Sequence, residues 1–95
     1  MPSNSQSQRR KVRVEMLQPE RLVLEKEIKE GETVKDLLNE VANTNRKFVE
    51  AGFDFEKQIL TGEMSIVLNG KLINALETKI SNGDVVIFIP ILAGG

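Results

Sequence analysis

The chain has 95 residues, 13 Lys and Arg against 14 Asp and Glu, a net charge of −1, and no cysteine or histidine. That length makes one domain with a small core. The composition excludes disulfides, thiolate nucleophiles and cysteine metal sites, and it removes the commonest general base and transition-metal ligand. The aromatics are 4 Phe with no Trp or Tyr, so no stacking platform for single-stranded bases is present. Balanced charge gives no electrostatic reason to bind nucleic acid. No apolar run reaches membrane-spanning length, and the polar N-terminus is no signal peptide. The expectation is a cytoplasmic domain that meets neither nucleic acid nor membrane.

Residues 1–10 are polar, Ser/Gln-rich and without periodicity, which predicts a disordered tail. The cluster Arg9, Arg10 and Lys11 reads as a solvated part of it. From Lys11 to Leu17 the chain alternates, with Val12, Val14 and Met16 on one face: a half-buried strand. Gln18, Pro19 and Glu20 make a turn, and Arg21 to Ile28 returns with Leu22, Leu24 and Ile28 in phase and Lys26 breaking the set. After Glu30-Gly31-Glu32, Thr33 to Asp36 matches a capping box. Val34, Leu37, Leu38, Val41 and Ala42 then follow at helical spacing. Asp36 and Glu40, one turn apart, read as part of the solvated helix face, because no partner for metal or acid–base work lies nearby.

Asn43-Thr44-Asn45 weakens the helix. Arg46 to Ala51 predicts a second short helix, followed by an irregular loop whose phenylalanines patch the open edge of the core. Met64 to Leu68 is a strand. Asn69-Gly70 is the strongest hairpin signal in the chain, since a type I′ turn needs positive φ at both central positions. Lys71 to Ile73 returns, and Leu76 and Ile80 point inward from a linking stretch. Ser81 to Asp84 turns again. Val85 to Ile89 is apolar on both faces, as a central strand is. The order predicts an α+β fold with a mixed β-sheet crossed by one main helix, the last strand lying parallel to the first.

After that strand come Pro90, Ile91, Leu92, Ala93, Gly94 and Gly95. A Gly-Gly end adds nothing to stability and costs backbone entropy to order. Its useful property is thinness: without Cβ atoms it threads a channel that excludes other side chains. The tail reads as a substrate for another protein's active site.

Val67-Leu68-Asn69-Gly70-Lys71, then Leu76, Ile80, Gly83-Asp84-Val85, and finally Phe88 through Gly95 resemble the small sulfur-carrier proteins. This is the MoaD/ThiS-like family of the molybdopterin synthase small subunit and the thiamine-pathway carrier. The resemblance runs from Lys11 to Gly95, closest to the molybdopterin synthase small subunit, although Ile89-Pro90-Ile91-Leu92 replaces the usual double proline and valine. It implies a ubiquitin-like β-grasp domain over residues 11–92 and a flexible tail over 93–95. It implies that an E1-like adenylating enzyme, which binds the ATP and magnesium, activates the Gly95 carboxylate. A sulfurtransferase then supplies the sulfur of a C-terminal thiocarboxylate. The acceptor is the molybdopterin synthase large subunit or another sulfur acceptor. This chain supplies no catalytic side chain, metal site or cofactor site, so it is not an enzyme by itself.

Ala93 and Gly94 would thread the partner's active site. Val86, Phe88, Pro90 and Leu92 are the candidate docking residues, on the expectation that Val85, Ile87 and Ile89 face the helix. Alternatively Phe88 is covered by the Phe53/Phe55 loop. Two other functions remain compatible with these residues: a ubiquitin-like modifier joined to lysines through Gly95, and a non-covalent interaction module.

Overall fold

The structure is a computed structural model that describes residues 10–17 and 20–90, with the backbone alone of Pro90. The first strand, β1, spans Arg10–Met16 and pairs antiparallel with β2, Leu22–Ile28. Arg10, read as the end of the polar tail, already ladders to Ile28. Gln18 and Pro19 of the expected turn, like residues 1–9, lie outside the described residues. The alternation in β1 is realised: Val12, Val14 and Met16 are buried.

The helix α1 spans Val34–Asn45 and begins at the expected capping box. The Thr33 backbone N–H donates to Asp36 Oδ2 at 3.0 Å, and the Asp36 N–H donates to Thr33 Oγ1 at 3.3 Å. Two of the four amides that a helix start leaves unsatisfied thus find partners. Val34, Leu37, Leu38, Val41 and Ala42 form its buried stripe. The second short helix expected after it is reduced to a 3₁₀ turn, Arg46–Phe48. Its tight geometry puts Phe48 into the core.

The stretch read as an irregular loop carries a small antiparallel ladder, β3 (Phe53–Asp54) and β4 (Ile59–Leu60). Asp54 Oδ1 accepts from the backbone N–H groups of Glu56 and Lys57, a side chain standing in for turn backbone. Gln58 sits at φ 57° and exchanges amide hydrogen bonds with Asn39 of α1, at 2.7 and 3.2 Å. Phe53 is buried, as expected of a phenylalanine closing the core. Phe55 stands edge-on to it, centroids 5.1 Å apart, with the Arg46 guanidinium 4.2 Å over its ring.

Strand β5, Met64–Leu68, turns at Asn69-Gly70 into β6, Lys71–Ile73. Both turn residues have positive φ, 51° and 85°, as a type I′ turn requires. The last strand, β7, spans Val85–Pro90. It lies between β1, to which it is parallel, and β5, to which it is antiparallel, in a five-stranded sheet of order β2-β1-β7-β5-β6. One helix covers one face, as the α+β reading requires.

The core sits between α1 and that face, with Val12, Val14, Met16, Ile66, Val86 and Phe88 from the sheet. Gly52 makes room at its edge. A Cβ there would collide with Met64 Cβ and lie 3.3 Å from Met64 Cα, neither of which a side-chain rotation can move aside. Gly52→Ala should therefore cost about 1–3 kcal/mol. A thermal melt should show this as a Tm fall of several degrees, and an unchanged Tm would mean that the β5 backbone yields at Met64.

Candidate functional site

Residues 91–95 follow β7 in the chain, so β7 and its neighbours are the described residues next to them. Ladder register sets which side chains β7 turns to each face of the sheet. Val14 pairs with Val86 and Met16 with Phe88, so the known inward face of β1 fixes the inward face of β7. On the opposite parity Arg13 pairs with Val85 and Glu15 with Ile87, while Ser65 pairs with Ile89 and Val67 with Ile87. Val67 is in turn opposite Leu72. The face away from the helix therefore carries Val85, Ile87, Ile89, Val67 and Leu72 as one contiguous apolar area. Leu72 is 67% exposed, and Val23, opposite Glu15, is 44% exposed at the far edge.

This phase corrects the expectation for the docking residues. Val86 and Phe88 are fully buried in the core and present nothing to a partner. Val85, Ile87 and Ile89, expected to face the helix, lie half-buried on the open face. Phe88 shares the buried cluster with Phe53. The physical reason is the composition of β7: a strand that is apolar on both faces has no hydropathy alternation from which to read its phase. The phase follows only from the register that places Val14 opposite Val86 and Met16 opposite Phe88.

Of the other expected residues, Pro90 ladders to Met64 at the end of β7. Leu92, Ala93, Gly94 and Gly95 lie outside the described residues.

The other half of the open face is charged. Arg13 and Glu25, and Lys11 and Glu27, stand opposite each other across β1 and β2. Glu15 pairs with Arg21 at 3.9 Å. Surface pairs of this kind contribute little stability, about 0–1 kcal/mol.

The turn that begins β7 is tied to the hairpin at the other end of the apolar area. Asn69 Nδ2 donates to Asp84 Oδ1 at 2.9 Å, Asn69 Oδ1 accepts from the Val85 N–H at 2.8 Å, and the Asn69 N–H donates to Val85 O at 2.8 Å. Gly83 supplies the positive φ, 88°, that the turn needs. These bonds fix β7 along its length against β5. Among the described residues no group of three or more His, Cys, Asp or Glu could hold a metal ion, and no helix is long and apolar enough to cross a membrane.

This fold defines a small ubiquitin-like β-grasp protein. The ThiS family model matches residues 13–95, and the chain belongs to that family of MoaD/ThiS-like sulfur carriers. No curated protein matches it in sequence. Among solved structures it is similar to SAMP1, the small archaeal modifier protein 1, of Haloferax volcanii. The identity is 18% over 90% of this chain and 99% of that one, with a TM-score of 0.75. It is also similar to a Pyrococcus furiosus protein assigned as molybdopterin converting factor, subunit 1, at 26% identity over 87% of this chain and 99% of that one, with a TM-score of 0.65.

The two faces of β7 should separate in mutation. Phe88→Ala empties a buried aromatic site and should cost about 3–5 kcal/mol, enough to unfold much of a small domain. Ile87→Ala, one residue away, should cost about half that or less. Denaturant titration of both variants measures the difference, and equal losses would contradict the assignment of faces.

Proposed function

We propose that this protein is a sulfur carrier that delivers sulfur as a thiocarboxylate at Gly95, as the small subunit of a molybdopterin synthase. What carries the reading is the family match, which runs through the Ala93-Gly94-Gly95 sequence directly beyond β7. The Pyrococcus furiosus relative supports the molybdopterin branch.

A terminal carboxylate, with an ordinary pKa of about 3.3–3.7, is ionised at neutral pH and is a poor electrophile. An E1-like enzyme holding Mg-ATP overcomes this. A Gly95 carboxylate oxygen attacks the α-phosphorus of ATP, and pyrophosphate leaves. A partner persulfide then attacks the acyl carbon and expels AMP, leaving an acyl disulfide. A second partner thiol cleaves its S–S bond, which leaves the thiocarboxylate on Gly95 and a disulfide on the partner. The large subunit transfers that sulfur to a pterin precursor. All catalytic groups, ATP and magnesium belong to the partners. This chain contributes the reactive end and the surface that places it. The chemistry requires ATP and reduced thiols, which is why we place it in the cytoplasm.

The open sheet face replaces Val86 and Phe88 as the proposed docking surface. Val85, Ile87, Ile89, Val67 and Leu72 form an area that runs along β7 and reaches its C-terminal end at Ile89, so a partner seated there would receive the residues beyond Pro90 at a fixed distance. The apolar centre supplies affinity, and the charged β1–β2 half supplies orientation.

The modifier branch shares the adenylate and differs in the nucleophile, a lysine amine in place of a persulfide. The likeness to SAMP1 is one of fold.

The test is intact mass after incubation with the activating enzyme, Mg-ATP and a sulfur donor. The expected result is a gain matching one oxygen replaced by sulfur, lost on deleting Gly95. No gain, with an enzyme active on a control carrier, would overturn the carrier function. Conjugates on partner lysines in its place would establish the modifier branch. Leu72→Glu, on a side chain mostly in solvent, should leave stability within about 0.5 kcal/mol of wild type. The same change should weaken the enzyme complex by at least ~10-fold. Unchanged affinity would remove this face from the docking surface.

A further inference from the structure

At the opposite side of the molecule, between β2 and α1, lies a second feature that the carrier function does not use. Glu32 is only 5% exposed. Its Oε1 accepts from the Lys29 N–H at 2.9 Å, whereas its Oε2 is buried with no donor. A buried carboxylate oxygen without a donor is costly and calls for an explanation. Glu40, one turn along α1 from Asp36, opens onto the same space as Glu32. Both glutamates line a cleft of about 390 Å³ together with Lys29, Glu30, Asp36 and Asn39. Asp36 is committed to the capping box, and Asn39 to Gln58 and Lys35. Neither can satisfy Glu32.

Two facing carboxylates have no hydrogen between them, and since Lys26 and Lys29 offset their charge only in part, a further positive charge would relieve the pair. No metal-binding group of three acidic or imidazole ligands exists among the described residues. We propose that a proton does so: Glu40 is held as the acid, its O–H donating to Glu32 Oε2, and this shared proton clamps the β2–α1 turn to the helix in a pH-dependent way.

The surrounding charges agree in sign. Burial raises the Glu40 carboxyl above its ordinary value of 4.5, the Glu32 charge and the hydrogen bond to Glu32 raise it further, and Lys26 of β2 and Lys29 of the turn lower it in part. Glu30 on the turn and Asp36 on α1 add negative charge to the cleft. On the segment packed across the helix start, Lys79 ladders to Thr33, and Glu77 pairs with Lys35 at 3.8 Å.

The clamp has a reach beyond the pair. Glu32 O accepts from the Ile80 N–H at 2.9 Å, and the Val34 and Lys35 N–H groups donate to Thr78 O and Leu76 O, each at 2.9 Å. The turn thus anchors the segment that leads into β7. The folded carboxyl keeps its proton to higher pH than the unfolded one, so its contribution to stability is full below pH 4.5 and fades as pH rises through the folded pKa.

Glu40→Gln keeps a donor toward Glu32 at every pH. Thermal melts of the full chain should show the two proteins close at pH 4.5 and Glu40→Gln more stable by about 2–5 °C at pH 8. Parallel curves for the two proteins across that range would overturn the proposal. A carboxyl carbon NMR titration of the wild type gives an independent reading. A Glu40 midpoint above 4.5 supports the clamp, and one at or below 4.5 overturns it. Melts at pH 8 with millimolar calcium or magnesium close the alternative: a rise in wild-type Tm that Glu40→Gln lacks would put a cation in place of the proton and overturn it as well.

Discussion

Everything in this fold depends on β7 lying between β1 and β5. The pairing joins the two ends of the chain, Arg13 to Val85 and Glu15 to Ile87, across most of its length. Before it forms, β1–β2 and β5–β6 are separate hairpins, each marginal in water. Once it forms, Val86 and Phe88 complete the surface against which α1 buries its stripe. Such non-local contacts require closing a long loop before they return any stabilisation. The bonds from Asn69 to Asp84 and Val85 tie the start of β7 to a hairpin that is itself local in sequence.

The same strand also explains why a small domain leaves an apolar face open. One helix covers one side of the sheet. The other side of β7 carries Val85, Ile87 and Ile89, with Val67 and Leu72 beside them. This is the surface that the proposed function assigns to docking. In the proposed carrier function, a partner covering this face would sit beside Pro90 and so beside the residues that follow it. Positioning of this sort is what the proposed function asks of a chain that brings only a reactive end to acyl chemistry.

Much of the architecture was legible because several residues have few alternatives. Thr33 and Asp36 announced the helix start, Val12, Val14 and Met16 the inward face of β1, and Asn69-Gly70 the tightest turn. Other features depend on tertiary context. The β3–β4 ladder hangs on Gln58 in a left-handed conformation bonded to Asn39, a pairing across 19 positions that no local pattern contains. The phase of β7 is silent in its own composition and emerges from its neighbours. Glu32 looks like one more surface acid in Glu30-Gly31-Glu32, and its burial follows from where α1 and Ile80 fall. Glu40, read as part of a solvated helix face, is half-buried against it. A pair of i and i+4 acids on a helix predicted nothing, because the decisive partner came from the preceding turn.

The most direct test of this account is a footprint of the activating enzyme on the methyl-labelled protein by NMR. The account predicts that the methyl groups of Val67, Leu72, Val85, Ile87 and Ile89 shift or broaden on titration, while those of Leu37, Leu38 and Val41 on α1 do not. A footprint centred on the helix, with the open sheet face silent, would contradict it.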